Sequence, residues 1–437
     1  MVKKRDSSKK KSNSIELNEE QKELQRLIIK WYHNFPYGKP YFYYSGAAGT
    51  GKTTVMKSII KELGLKQDEY IACAYVGKAV LVLLRNGLPA STIHSFIYRP
   101  QSETYFDIEF DEWGNPHKVK KKKARFSLRD HIPKSIKLIF LDECAMVNDK
   151  MRMDLQSFGV PIVMAGDCNQ LPPVFGSSSI LDDPDYTLYQ IMRQKEGDPI
   201  IYLSQCILND IQVPYGDYGA SKVIDSFNFD KRLLTDYDMI LCAKNATRED
   251  LNDRIREEIL GYDDRVPRDG DKMICRRNDW DESLDGIYLT NGLVGNIEHV
   301  NTCSIHRDLV YGDFTPDFMD RPFEKLTLDY FYLKSNWKVR KDYGWGGKKD
   351  DPVELFEYAY AITVHLSQGS EYNRVLYIDE DFRDADTFKR LQYTAVTRAK
   401  DSITWVRSQR EKKFYFPTYS TPFDTPLNER GPVKMIS

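Results

Sequence analysis

Cysteine is sparse in this 437-residue chain, with seven at positions 73, 144, 168, 206, 242, 275 and 303, an odd number containing no C-x-x-C pair. That pattern argues against a disulfide framework or a cysteine-built zinc site and for reduced thiols. Long apolar runs are missing too. No stretch approaches the ~20 residues that cross a bilayer, and the start MVKKRDSSKKKSNS has no apolar signal core. A cytoplasmic location without a membrane partner is therefore expected. Excess charge of one sign is also lacking: 63 Lys and Arg against 65 Asp and Glu leave a formal net charge of −2, too little to coat a polyanion by bulk charge. Long repeats and low-complexity linkers are absent as well.

What is present is an ordinary globular balance, 41% hydrophobic and 29% charged, in a length that exceeds a single domain. Apolar runs alternate with helical segments twice. YFYYS before residue 46, YIACAY (70–75), KLIFLDE (137–143) and PIVMAGD (161–167) form the first set. DMILCA (238–243), RVLYID (374–379), the helical FKRLQYTAV and SITWV (402–406) form the second. This rhythm predicts two α/β domains with parallel sheets. In the second set, Thr247 and Asp250 form a capping-box-like start for the helix NATREDLNDRIREEIL. Each set is interrupted. Between His94 and Lys137 an acidic and a basic strand flank Gly114-Asn115-Pro116, the pattern of a hairpin. Between Asn291 and Glu357 lies LDYFYLKSNWKVRKDYGWGGKKDD, rich in aromatics, glycine and lysine. Basic residues cluster in both interruptions (Lys118, Lys120 to Lys123; Lys334, Lys338, Arg340, Lys341) and in the N-terminal run, which reads as a flexible tail.

The most specific chemical signal is SGAAGTGKTT. Gly46, Ala47, Ala48, Gly49, Thr50, Gly51, Lys52 and Thr53 fill G-x-x-x-x-G-K-[ST], with Thr54 next, between a strand and a helix. Glycines let backbone N–H groups turn inward onto phosphate oxygens, and the helix start adds its positive dipole end. Lys52 suits the β/γ-phosphates of a nucleoside triphosphate such as ATP, and the Thr53 hydroxyl suits Mg²⁺. LIFLDECAM ends an apolar strand in two acids, Asp142 for the metal and Glu143 for polarising water. AGDCNQLPPV ends another strand with Asp167 and Gln170, polar groups able to sense a γ-phosphate. Arg193 in QIMRQ and Arg398 in YTAVTRAK could supply charge from a neighbouring lobe.

Taken in order, LNEEQ (17–21), SGAAGTGKTT, STIHSF (91–96), LDECAM, GDCNQLPPV, MRQ, YAITVHLSQGSE and YTAVTRAK resemble the motifs of superfamily 1 helicases, more narrowly the RecD/Dda branch. The resemblance spans about residues 15–408. It implies an ATP- and Mg²⁺-dependent DNA helicase moving 5′ to 3′ on single-stranded DNA, working as a monomer, with single-stranded and fork DNA as partners and single-strand-binding or other replication proteins as further ones. It implies two RecA-like P-loop domains plus a small β-hairpin insertion and an SH3-like β insertion. By position, the first RecA-like domain takes 15–97 and 127–185, the hairpin wedge 98–126, the second RecA-like domain 186–290 and 356–437, and the SH3-like domain 291–355, after a basic tail at 1–14. Gln21 matches the adenine-reading position and Glu371 one near the ribose, with Arg193 and Arg398 as arginine fingers. Thr92 and His94, with Thr363, His365, Ser367 and Gln368, match positions at the nucleic-acid channel or its link to the nucleotide. Two departures stand out. Ala74-Tyr75-Val76 followed by Gly77-Lys78-Ala79 stands where relatives commonly have APT, and Ala145 replaces a serine whose hydroxyl couples hydrolysis to DNA in the family.

Sequence-independent grip on a single strand needs cations for phosphates and flat rings for bases. Lys78, Phe96, Tyr98 and the hairpin-tip Trp113 are candidates beside the histidines, whereas Tyr330, Tyr332, Trp337, Tyr343 and Trp345 are as well explained as core. Two other functions fit parts of the pattern: a P-loop kinase or small-molecule ATPase using Glu143 as base, and a nucleotide-gated scaffold that binds DNA without unwinding it.

Overall fold

The structure, a computed structural model, describes residues 16–35, 37–110, 116–173, 178, 181, 183–190, 198–226, 230–284, 287–302, 309–335, 340, 353–380 and 384–407, with the side chains of 100–125, 231, 280 and 281 left aside. The apolar runs of the N-terminal half become one six-stranded parallel sheet. Its order is Ala90–Thr92, Tyr70–Ala74, Leu138–Leu141, Ile162–Gly166, Tyr41–Gly46 and Tyr186–Leu188. The central strands are buried on both faces, as continuous apolar runs require. Alternation decides which core each residue joins. Leu138, Phe140 and Val163 pack with Leu24, Ile28, Val55, Met56 and Ile59 from the helices Glu19–His33 and Lys52–Glu62. Ile139, Leu141, Ile162 and Met164 face the opposite layer with Ile93 and Leu155.

The second sheet has the order Ala361–Thr363, Met239–Cys242, Tyr372–Ile378, Ala399–Arg407, Ser221–Asp225 and Gly216–Tyr218, parallel except for its last pair. Helices Pro199–Leu208 and Ala385–Val396 cover one face, sealing a core that includes Leu203, Met239, Ile362, Val375, Leu391 and Trp405. Two α/β layers with parallel sheets are thus present. The helix in NATREDLNDR begins at Asn245 rather than at Thr247, and no side chain of its own caps it. Glu380, just past the end of the neighbouring strand Tyr372–Ile378, accepts the N–H groups of Ala243 (2.7 Å) and Lys244 (2.8 Å) and the Thr247 hydroxyl. A carboxylate at the positive end of the helix replaces the local capping box.

The first interruption is an antiparallel pair, Tyr98–Phe110 with Pro116–Leu128, registered from Tyr98 opposite Leu128 to Phe110 opposite Pro116. Its tip, with Trp113, lies outside the described residues. The second interruption carries a five-stranded antiparallel sheet, Phe323–Asp329, Leu309–Pro316, Val294–Thr302, Lys272–Cys275 and Phe356–Tyr358. It reaches further back than residue 291 because Lys272–Cys275 is its fourth strand, pairing with both Val294–Thr302 and Phe356–Tyr358. Ile297, Phe314, Leu326 and Phe356 fill its interior. Leu333 belongs to that core, and Tyr332 beside it is buried, its hydroxyl donating to Glu357 (3.0 Å). Trp337, Tyr343 and Trp345 fall outside the described residues.

Candidate functional site

The strand Tyr41–Gly46 delivers the glycine-rich loop directly into the helix Lys52–Glu62. Gly49 and Gly51 take φ +84° and +83°, the left-handed region that favours glycine. Gly46 is required for packing, since a Cβ there would lie 2.6 Å from Thr50 Oγ1 and 3.2 Å from Leu188 Cβ. Gly51 caps the helix and, having no side chain, offers the first-turn amides no side-chain hydrogen bond. That is the arrangement an anion occupies. Thr50 Oγ1 donates to Ala47 O (2.9 Å), and Lys52 Nζ donates to Gly46 O (2.8 Å) and Ala47 O (3.2 Å), which places the ammonium inside the loop.

Gln21 lies beneath this loop rather than in the open. Its Nε2 donates to Thr50 O (3.0 Å), and its Oε1 accepts the Asn18 N–H (3.1 Å) in a complete capping box. The expected adenine contact of Gln21 thus competes with a role in bracing the loop.

Asp142 directly follows the strand Leu138–Leu141, is half-buried, and accepts the Glu143 N–H (3.0 Å). Burial, with the neighbouring Glu143 charge, raises its pKa to about 6, while Lys52 and the Glu143 amide pull the other way. Glu143 is held at φ +50°, a conformation costing a non-glycine residue about 1–2 kcal/mol. A half-buried carboxylate within electrostatic reach of Lys52, with Thr53 half-buried on the first turn of the helix after the loop, suits Mg²⁺, which takes one carboxylate and one hydroxyl and draws its remaining ligands from phosphate and water. When bound it would screen charge between the phosphates. Thr54, also on that turn, is half-buried.

A cleft of ≈ 260 Å³ opens against Ala47, Ala48 and Gly49. Its opposite wall comes from the C-terminal half and includes Ser204, Glu371, Tyr393, Thr397 and Lys400. The two halves therefore meet over the loop, and Glu371 lines the cleft. Arg398 sits one residue inside that wall. It is 2% exposed, and its guanidinium donates to Thr394 O (3.2 Å), Ser370 O (3.1 Å) and Thr397 Oγ1 (3.4 Å). Reaching a phosphate would require exchanging those acceptors. Arg193 lies outside the described residues.

Gln170 and Asp167 are buried on a loop that the C-terminal half grips. Gln170 Nε2 stands 3.5 Å from Asp167 Oδ2, which also accepts the Tyr393 hydroxyl (2.8 Å). Arg390 and Tyr393 belong to the same grip but were not singled out from sequence. The available signal was helical spacing, which puts 390, 393, 394 and 397 on one face of Ala385–Val396.

The expected nucleic-acid residues divide. Thr92 caps the short helix Ile93–Ile97, with Oγ1 accepting the Ser95 N–H (3.2 Å) and meeting Ser95 Oγ at 2.7 Å. His94 sits among Tyr75, Tyr98 and Phe126 at ring separations of 5.6–5.9 Å, and burial lowers its pKa. It is neutral near pH 7, suited to stacking rather than to phosphate charge. Phe96 packs half-buried against the first lobe's core. His365 is likewise half-buried with a pKa lowered by burial, and Thr363 is 6% exposed at a strand end. Three residues are committed to the protein itself. Ser367 Oγ donates to Val364 O (2.7 Å), and Gln368 Nε2 donates to Leu171 O (2.8 Å). Lys78 lies over the Tyr372 ring (4.7 Å) near Asp317, and burial pushes its pKa down to about 8. The Phe318 ring, at 5.9 Å, is the second aromatic face against this ammonium.

Residues 37–176 match the AAA domain family, and residues 358–404 match the UvrD-like helicase C-terminal domain. These are the two nucleotide-facing halves just described. The chain is 24% identical over 390 residues to the ATP-dependent RecD2 DNA helicase of Deinococcus radiodurans, covering 82% of this chain and 45% of that protein. It is 24% identical over 470 residues to an uncharacterized protein of Methanocaldococcus jannaschii, covering 85% and 37%. The chain thus spans less than half the length of these curated relatives. Solved structures with a similar course include Bacteroides Pif1 bound to single-stranded DNA (18% identity, 90% of this chain and 92% of that one, TM-score 0.48). Candida albicans Pif1 is another (17% identity, 91% and 96%, TM-score 0.46). The chain is thus similar to a RecD2 helicase over most of its length and to the UvrD-like helicase C-terminal domain over residues 358–404.

Proposed function

We propose that this chain is an ATP-dependent DNA helicase that translocates 5′ to 3′ on single-stranded DNA and opens duplex at a fork. The observation that carries the reading is the cleft, where Ala47, Ala48 and Gly49 of the phosphate loop face Glu371, Thr397 and Lys400 of the other half. A site built from both halves ties nucleotide turnover to their relative position, and a motor needs that link. Lys52, Asp142, Glu143 and Gln170 serve as catalytic groups, with Thr53 and Asp142 holding Mg²⁺. Arg193 and Arg398 supply transition-state charge. The parallel-sheet lobes act as the RecA-like domains, the hairpin as the wedge with Trp113 at its tip, and the antiparallel sheet as the SH3-like accessory domain. Thr92, His94, Phe96, Thr363 and His365 border the DNA path. Among the described residues no helix is long and apolar enough to cross a membrane. The protein acts as a cytoplasmic monomer, with single-strand-binding protein as a candidate partner.

Measuring ATP hydrolysis with and without single-stranded DNA, then unwinding of forks carrying 5′ or 3′ overhangs, tests this reading. DNA-stimulated turnover with preference for the 5′ overhang is expected. Turnover indifferent to DNA would instead indicate a small-molecule ATPase or kinase, and DNA binding without turnover a scaffold. Trp113→Ala should slow strand separation more than hydrolysis.

A further inference from the structure

The loop Asp167–Leu171 continues from the N-terminal sheet but is docked in the C-terminal half. Leu171 is fully buried in the C-terminal core, its N–H donates to Thr394 Oγ1 (3.2 Å), and its carbonyl accepts from Gln368 Nε2 (2.8 Å). Arg390 Nη1 donates to the carbonyls of Cys168 (2.6 Å) and Gln170 (3.2 Å). On the other side, the Cys168 N–H donates to Ser45 Oγ (3.1 Å), one residue before the phosphate loop. The loop therefore has an anchor in each half.

These links converge on one carboxylate. Asp167 Oδ1 accepts the Asn169 N–H (3.1 Å), and Oδ2 accepts the Tyr393 hydroxyl (2.8 Å). The Gln170 amide stands 3.5 Å from that same Oδ2, beyond the usual range for a hydrogen bond from nitrogen. Asp167 and Tyr393 are each 1% exposed, so bulk water has little access to either. Asp167 also lies within electrostatic reach of Lys52.

We propose that Tyr393 is a positioning residue for hydrolysis: its hydroxyl engages Asp167 Oδ2 and so leaves the Gln170 amide free to turn to a γ-phosphate. This inference rests on the helicase reading and deepens it. A buried carboxylate oxygen that loses its strong donor must find another. Gln170 Nε2 needs to move only about 0.5 Å to reach ordinary bonding distance. Withdrawal of Tyr393 as the halves part therefore retracts the sensor, and docking releases it. Hydrolysis becomes conditional on lobe contact through one hydroxyl.

Tyr393→Phe removes only that hydroxyl and keeps the ring in its core. Wild-type hydrolysis with and without single-stranded DNA is measured first; absence of stimulation removes the helicase reading itself. Given stimulation, Tyr393→Phe should lower the DNA-stimulated kcat about tenfold while leaving KM for ATP within about twofold. Asp167→Asn should act in the same way. The double variant should be about as slow as the slower single, because both changes break one link. A kcat within twofold of wild type, a matching rise in KM, or a double variant showing the product of the two losses overturns the proposal. Should Tyr393→Phe fail to fold, Asp167→Asn alone is held to the same kcat and KM criteria.

Discussion

Replacing Glu357 by alanine is expected to loosen the junction between the C-terminal lobe and the antiparallel sheet. Glu357 is 4% exposed and carries Arg248 at 2.6 Å, Arg276 at 3.2 Å and Arg340 at 3.4 Å, with the Tyr332 hydroxyl at 3.0 Å. Burial alone would raise its pKa, but the three guanidiniums prevail and hold it down to about 2. One anion thus balances one buried and two half-buried cations, and only part of that balance survives its loss. Arg340 keeps Glu249 at 2.9 Å and Arg276 keeps Asn291 Oδ1 at 3.3 Å, whereas Arg248 keeps no carboxylate among the described residues. Stranding a buried charge costs about 3–5 kcal/mol. For a unit of this size that lowers the local melting temperature by more than about 10 °C. Urea unfolding followed by two probes, one in each lobe, measures the loss, because a chain with several cores need not unfold in a single transition. Arg248→Met should cost less, since the carboxylate keeps two guanidiniums. A Glu357→Ala loss below about 1 kcal/mol, or an equal loss for Arg248→Met, would refute the charge-imbalance argument.

Lys52→Ala should reduce ATP turnover by at least about 10² while leaving the melting temperature nearly unchanged, because it removes a ligand-facing charge rather than core volume; retained turnover would sink the phosphate-loop assignment. Gly51→Ala forces a Cβ into φ +83°, 2.5 Å from Gln21 Nε2, at a cost of about 1–2 kcal/mol. Its expected signature is weaker ATP binding by titration, and undiminished affinity would contradict the bracing role of Gln21. Glu354 supplies a pH test. Burial, aided by a hydrogen bond with Asp279, raises its pKa to about 8, and Arg277 at 3.8 Å compensates only partly. The folded state then holds a proton that the unfolded chain releases near pH 4.5, so this contribution to stability is complete below that pH and is lost as pH rises through about 8. Each pH unit between those two values is worth about 1.4 kcal/mol at most. Melting between pH 6 and 9 should therefore fall more steeply for wild type than for Glu354→Gln, and equal slopes would show that Glu354 does not titrate there.

The features legible in sequence were those whose cause is local. Leu138–Leu141 and Ile162–Gly166 read as strands because burial on both faces demands an unbroken apolar run. The phosphate loop read clearly because its turn needs glycine where φ is positive. Partners remote in sequence were invisible. Glu380 caps a helix that starts at Asn245, Lys272–Cys275 joins a sheet whose other strands follow it, and Lys78 lies over the ring of Tyr372. No local periodicity encodes which lysine meets solvent and which meets Tyr372. The same holds for Glu357, whose three arginines come from separate elements.

The chemistry of the lobe contact also bears on how such a contact can switch. Apolar surfaces lose attraction gradually as they separate, because dispersion and burial decline over several ångströms. The bonds from Tyr393, Thr394, Arg390 and Gln368 to the Asp167–Leu171 loop are directional and fail within about 1 Å. Each also leaves a buried polar atom in want of a partner, so a half-open arrangement is penalised more than either end state. A contact dominated by buried hydrogen bonds, with Leu171 as its apolar anchor, thus favours docked or separated lobes over intermediates. Gln170, proposed above as the γ-phosphate sensor, sits on that loop, so under that proposal the sharpness of lobe docking is transmitted to the site where phosphate is sensed.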